Sequence, residues 1–180
     1  MKNLRATLIV MFLLILNESI YSQTPNDCRY LSALLYLHTN IKVSETIKLN
    51  FPKVTNKKEK YVEFHLANRV DFIGISPFKK GITSSDFKID EESFDNNLYY
   101  KKYFFESYRS EFLKKLNVPN ESKLYLRFSK PIENYLIAEL GSYDPEIYRT
   151  AKFGFALLFF FEFDSNGLIE NVLYSGLTYH

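Results

Sequence analysis

The chain has 180 residues, with 23 Lys and Arg against 21 Asp and Glu, a formal net charge of +2. That balance gives no electrostatic reason to expect a nucleic acid or another polyanion as partner. With 17 Phe, 14 Tyr, no Trp and only two Met, phenyl and phenol rings must supply most of the core, each able to bury ~150–250 Å².

The chain opens with the layout of a secretory signal. Lys2 and Arg5 form a short positive region, Ala6 to Leu16 is unbroken apolar sequence, and Asn17, Glu18 and Ser19 restore polarity before the small Ser22. An eleven-residue helix rises only ~16 Å, against the ~20 apolar residues that a bilayer core requires. Residues 1–22 therefore read as a leader removed on export, with Ile20 larger than is usual three residues before a cut. Residues 23–180 then form a single domain in a periplasmic or extracellular setting, with no later run long enough for a transmembrane helix. Cys28, the sole cysteine, cannot form an internal disulfide, and Pro25-Asn26-Asp27 before it is unlike a lipoprotein signal. It reads as a small apolar helix residue.

Asn26 or Asp27 can cap a helix from about Cys28 to Thr39, apolar on most sides through Tyr30, Leu31, Leu34, Leu35 and Leu37. Ser44 opens a weaker segment that Pro52 ends. The basic stretch 53–60 reads as a solvated loop. From Tyr61 to Leu66, Val62, Phe64 and Leu66 alternate with Tyr61, Glu63 and His65, the pattern of a strand with one buried face. A second apolar stretch spans Val70 to Ile75, and residues 79–96 form a polar connection. Residues 95–116 turn helical. Phe105, Tyr108, Phe112 and Leu116 recur at three and four residues, Lys114 and Lys115 suit the C-terminal end of the dipole, and Asn117-Val118-Pro119 stops the helix.

After Pro119 the pattern is all β. Strands are expected over 124–129, 135–140, 153–163 and 168–179, the last two joined by the tight turn Asp164-Ser165-Asn166-Gly167. Phe153, Phe155, Leu157, Phe159, Phe161 and Phe163 form a period-two stripe, and the opposite face is apolar in its middle. That marks a central strand. The fold class expected is α+β: N-terminal helices and a long helix packed on an antiparallel meander. Phe155, Phe159 and Phe161 should meet the Phe105–Tyr108–Phe112 face of that helix.

Phe128-Ser129-Lys130-Pro131-Ile132, a strand carrying Glu139, Phe153-Gly154 and the closing Phe163-Asp164-Ser165-Asn166-Gly167-Leu168-Ile169 come in that order. Over roughly residues 124–180 this resembles small exported bacterial proteins of unassigned function, a resemblance that implies no catalytic role. By element order alone the chain is also similar to cystatin-like and nuclear-transport-factor-like folds, which host enzymes and binding modules alike.

Few residues offer chemistry. Glu139 lies in the apolar strand Tyr135–Leu140, where it must be paired, with Arg127 or Tyr125 as partners, or else act as a general acid or base. Glu63 and His65 stand two apart on one strand face, and His38 on the first helix could complete a metal or acid–base set, although zinc usually takes three or four ligands. Glu162, Asp164, Asn166, Gly167 and Ile169 mimic part of a calcium loop, but Leu173 occupies the position of its bidentate Glu, so a hairpin turn is expected. Tyr99-Tyr100-Lys101-Lys102-Tyr103 reads as helix rather than as a nucleic-acid or glycan contact. Nucleophile elbows, Cys–His pairs and phosphate loops are missing from the sequence. No cofactor or metal is expected. The leading function is a non-catalytic binding or accessory module taking a protein or small ligand. The alternative is a small hydrolase-like enzyme using Glu139 or Glu63.

Overall fold

The computed structural model describes residues 24–71, 73, 76–78, 108–118, 120–131, 133–144 and 154–179. Helix α1 (Pro25–Thr39) begins three residues earlier than its apolar pattern suggests. Thr24, not Asn26 or Asp27, is the cap: its hydroxyl accepts from the Asp27 N–H, and Asp27 bonds back to the Thr24 N–H. Pro25 fits here because the first helical residue has no intrahelical use for an N–H. Asn40 ends α1 and caps α2 (Ile41–Asn50), its side chain accepting from the N–H groups of Lys42 and Val43.

Six strands form one sheet in the order β2-β1-β3-β4-β5-β6. They are β1 (His65–Val70), β2 (Tyr108–Arg109), β3 (Tyr125–Phe128), β4 (Tyr135–Gly141), β5 (Gly154–Phe163) and β6 (Ile169–Tyr179). Strands β3 to β6 make the expected antiparallel meander. The sheet as a whole is mixed, because β1 lies parallel to β3. The turn before β6 is a tight hairpin connection. Asp164 takes the Leu168 carbonyl with its N–H, and its carboxylate accepts from the N–H groups of Asn166 and Leu168.

The long helix over 95–116 is corrected. Residues 95–107 lie outside the described residues, but Tyr108–Arg109 is a strand, and helix α3 occupies only Glu111–Leu116. The break has a local cause. Ser110 is extended, and its hydroxyl accepts from the Leu113 N–H, so a helix starts at this point instead of passing through it. Residues 61–64 likewise alternate in burial without being strand, and β1 starts at His65. Of the stretch 70–75, Val70 closes β1, while Asp71 and Ile73 are outside any strand.

One face of the sheet carries the main core. Leu126 and Phe128 of β3, Leu136, Ala138 and Leu140 of β4, and Leu157, Phe159, Phe161 and Phe163 of β5 meet Tyr30, Ala33, Leu34 and Leu37 of α1 and Val43 and Ile47 of α2. The inner face of β5 is therefore the expected one, but its cover differs. Tyr36 stands edge-on to Phe161 at 5.8 Å, and Phe51 meets Phe155 at 5.6 Å. Phe112 packs against this core from α3, whereas Tyr108 is exposed and hydrogen-bonds Tyr30 instead. Phe105 lies outside the described residues. The reverse face of β4 and β5 is buried too, at Tyr135, Ile137, Glu139, Ala156, Leu158, Phe160 and Glu162, with Phe78 stacked obliquely 5.5 Å from Phe160.

Phe159 is 1% exposed in the main core, so Phe159→Ala should leave a cavity. Urea unfolding is expected to show a loss of ~3–5 kcal/mol. Leu49→Ala, at a side chain 80% exposed, should cost less than ~0.5 kcal/mol. An unchanged midpoint for Phe159→Ala would overturn the assignment of the inner face.

Candidate functional site

Cross-strand register assembles a charged cluster on the reverse face. Arg127 of β3 stands opposite Glu139 of β4, and its Nη2 donates to Glu139 Oε2 at 2.7 Å. Its Nη1 lies 3.5 Å from Asp71 Oδ2, and Arg69 Nε lies 2.8 Å from Asp71 Oδ1. Two cations thus face two anions. The Tyr143 hydroxyl donates to Glu139 Oε1, and its ring lies against the Arg127 guanidinium at 5.7 Å. Gly141 permits this arrangement, since a Cβ there would sit 2.6 Å from Cε1 of Tyr143. Tyr179, on β6, completes the set by hydrogen-bonding both Glu139 and Arg127. Burial first, then the Glu139 charge, raises the Tyr179 phenol above its usual range. Burial alone would disfavour a charged Arg127, but the charge and hydrogen bond of Glu139, together with Tyr179 and Asp71, outweigh it and the guanidinium is held more firmly protonated.

A second buried carboxylate, Glu162 of β5, is held by neutral donors. Asn171 Nδ2 donates to it at 2.8 Å and the Tyr135 hydroxyl at 3.4 Å. Burial, then Glu162, pushes the Tyr135 phenol up to about 12. In the sequence Glu162 stood out only as the first residue of the partial calcium-loop pattern, although a second signal existed: it is the only charge in the strand Gly154–Phe163.

Beside the charged cluster runs a cleft of about 460 Å³, lined by His65, Leu66, Ala67, Asn68, Arg109, Asn117, Tyr125 and Asp144. Its origin is an irregularity in the β1–β3 ladder. Leu66 pairs with Leu126 and Val70 with Phe128, so four steps on β1 match two on β3. Extra residues in one strand bend it and re-aim its side chains. His65 stacks on Tyr125 at 5.1 Å, and Arg109 Nη1 donates to Asn68 Oδ1 at 3.0 Å. Asparagine side chains finish the edge of β1 where β2 is too short to do so. Asn117 accepts from the Leu66 N–H, and Asn120 donates to the Phe64 carbonyl.

The other sequence candidates are scattered. His38 stacks on Phe64 at 4.1 Å, whereas the next residue, His65, stacks on Tyr125. Successive residues on extended chain point to opposite sides, so the two imidazoles are divided by the sheet. Glu63 is exposed and precedes β1. Among the described residues no group of three His, Cys, Asp or Glu side chains could hold a metal ion, and no helix is long and apolar enough to cross a membrane. Compared with known families, with curated proteins and with solved structures, the chain matches none.

Removing one partner of a buried ion pair strands the other charge, whereas replacing both by apolar groups can be nearly neutral. Glu139→Leu is therefore expected to lower stability by ~3–5 kcal/mol. Arg127→Met combined with Glu139→Leu should lose much less than the sum of the single variants. Strict additivity in urea unfolding would contradict the coupling.

His38 supplies a pH dependence. Burial pushes its imidazole down to about 4, against about 6.5 for the free side chain. Between those values the unfolded chain takes up a proton that the folded chain refuses. The stabilisation is thus complete above pH ~6.5 and is lost as pH falls towards 4. Allowing for its partial exposure, the loss is on the order of 2 kcal/mol. Urea midpoints at pH 7 and pH 4.5 should fall further apart for the native chain than for His38→Leu.

Proposed function

We propose that the protein is an exported accessory module that binds a small polar ligand, without chemical turnover, in the cleft beside β1. One observation carries this reading. The cleft brings an imidazole, a guanidinium, a carboxylate and two carboxamides around the Tyr125 ring, donors and acceptors of several kinds converging on one concave surface. Neither Glu139 nor Glu63, the carboxylates expected to serve a hydrolase, lines the cleft. Glu139 has Oε2 engaged by Arg127 and Oε1 by Tyr143, and Glu63 is exposed on the segment before β1. Export rests on the leader pattern of residues 1–22.

An amide-resolved NMR titration tests the proposal. The probes are a mixture of small zwitterions, carboxylates and monosaccharides. Shifts are expected first at His65–Asn68, Asn117 and Tyr125, and Arg109→Gln should weaken them on the order of tenfold, the usual effect of losing a charge-assisted hydrogen bond. Shifts confined to another surface would move the site. Turnover of a model ester or glycoside that depends on Glu139 or Glu63 would overturn the non-catalytic reading.

A further inference from the structure

The two edges of the sheet are finished in opposite ways. At one end β2 is two residues long, and the β1 backbone beyond it is engaged by Asn117, Asn120 and the Ser110 N–H. At the other end β6 runs eleven residues, Ile169–Tyr179, and no described residue pairs with its outer side. An open edge is a template for another strand, and proteins that must stay single guard it with Lys, Pro, bulges or shortness. In β6 the only irregularity lies near its start, opposite the Glu162/Phe163 step. From Asn171 to Tyr179 it pairs with β5 without a break, and that stretch has no charge and no Pro. Tyr174 is 63% exposed, and Gly176, which has only backbone to show, is exposed as well.

We propose that β6 pairs antiparallel with β6 of a second copy of this chain, about a two-fold axis at Ser175, joining the two sheets into one. The register is read from self-complementarity. With Ser175 opposite itself, Leu173 meets Leu177, Val172 meets Thr178, and Asn171 meets Tyr179. Tyr174 meets Gly176, whose one side is already lined by the Phe155 ring: a Cβ on Gly176 would sit 2.8 Å from it. The ring from the second copy comes to rest over the glycine and beside Phe155, a favoured use of an aromatic across a strand pair. Glu170 falls outside the paired stretch, so no like charges are opposed. Nine residues on each strand form roughly nine backbone hydrogen bonds, close to the ~10 of a typical specific interface. Such an isologous contact closes on itself and stops at two copies.

Sedimentation velocity on protein purified from expression of the full chain tests this. A dimer is expected at about 100 µM, dissociating on dilution. Ser175→Lys sets two ammonium groups opposite each other and should weaken it on the order of tenfold or more. Ser175→Glu should do the same, and an equimolar mixture of the two variants should associate again. Circular dichroism checks that each variant is folded, and Tyr174→Lys, at an exposed position, serves if Ser175→Lys is not. A Ser175→Cys variant should oxidise to a disulfide-linked pair across the axis. A wild-type monomer at this concentration overturns the proposal, as does a dimer indifferent to all of these charges.

Discussion

A strand in the middle of a sheet and covered on both faces has nowhere to send a charged side chain except towards a partner. That constraint acts on β4 and β5, and the polar features of the reverse face follow from it. Glu139 and Glu162 are 1% and 0% exposed. An unpaired buried carboxylate is expensive in a low-dielectric interior. Glu139 meets the constraint with a guanidinium directly across the ladder, supported by Asp71, Arg69 and two tyrosines. Glu162 meets it with an amide and a phenol. The first cluster is balanced, two charges of each sign, so it is cohesive without presenting a net field. Such a buried pair is costly to break from one side, although apolar residues of the same shape in place of both partners can be as stable.

The helix-facing side obeys a different rule. There the side chains are apolar, and α1 and α2 cover them as a layer, the ordinary solution for a sheet with one oily face. Asn40 ties the two helices together by ending one and capping the next. Ser32 Oγ donates to the Gly167 carbonyl, fixing α1 to the β5–β6 turn. His38 at the end of α1 stacks on Phe64, and burial accounts for its loss of basicity.

Where the ladder is regular the surface is closed, and where it is irregular there is a cleft. Between Leu66 and Val70 the extra residues of β1 leave backbone that β2 is too short to cover. Backbone polar groups do not go unanswered at such a place. Here asparagine side chains answer some of them, and the remaining space is lined by imidazole, guanidinium and phenol groups. At the opposite edge of the sheet no described residue pairs with the outer side of β6.

Local patterns determined what local physics can decide. The period-two stripes of Leu124–Phe128 and Phe153–Phe163 announced strands, Asp164 to Gly167 announced a tight turn, and Tyr30 to Leu37 announced a buried helix. Each was legible because side-chain direction repeats with the backbone period. The Arg127–Glu139 pair was half legible: alternation put a carboxylate in an apolar strand and named its partner, but only the register placed the two side chains in contact. Other features were decided by tertiary structure alone. Tyr108 and Phe112 keep a helical spacing, yet Ser110 caps a separate short helix, and Tyr108 is drawn into a strand beside β1. The parallel pairing of β1 with β3, the bulge that opens the cleft, and the separation of His38 from His65 join residues far apart in the chain. Their free energy comes from contacts between distant segments, and no window of sequence contains both sides of such a contact.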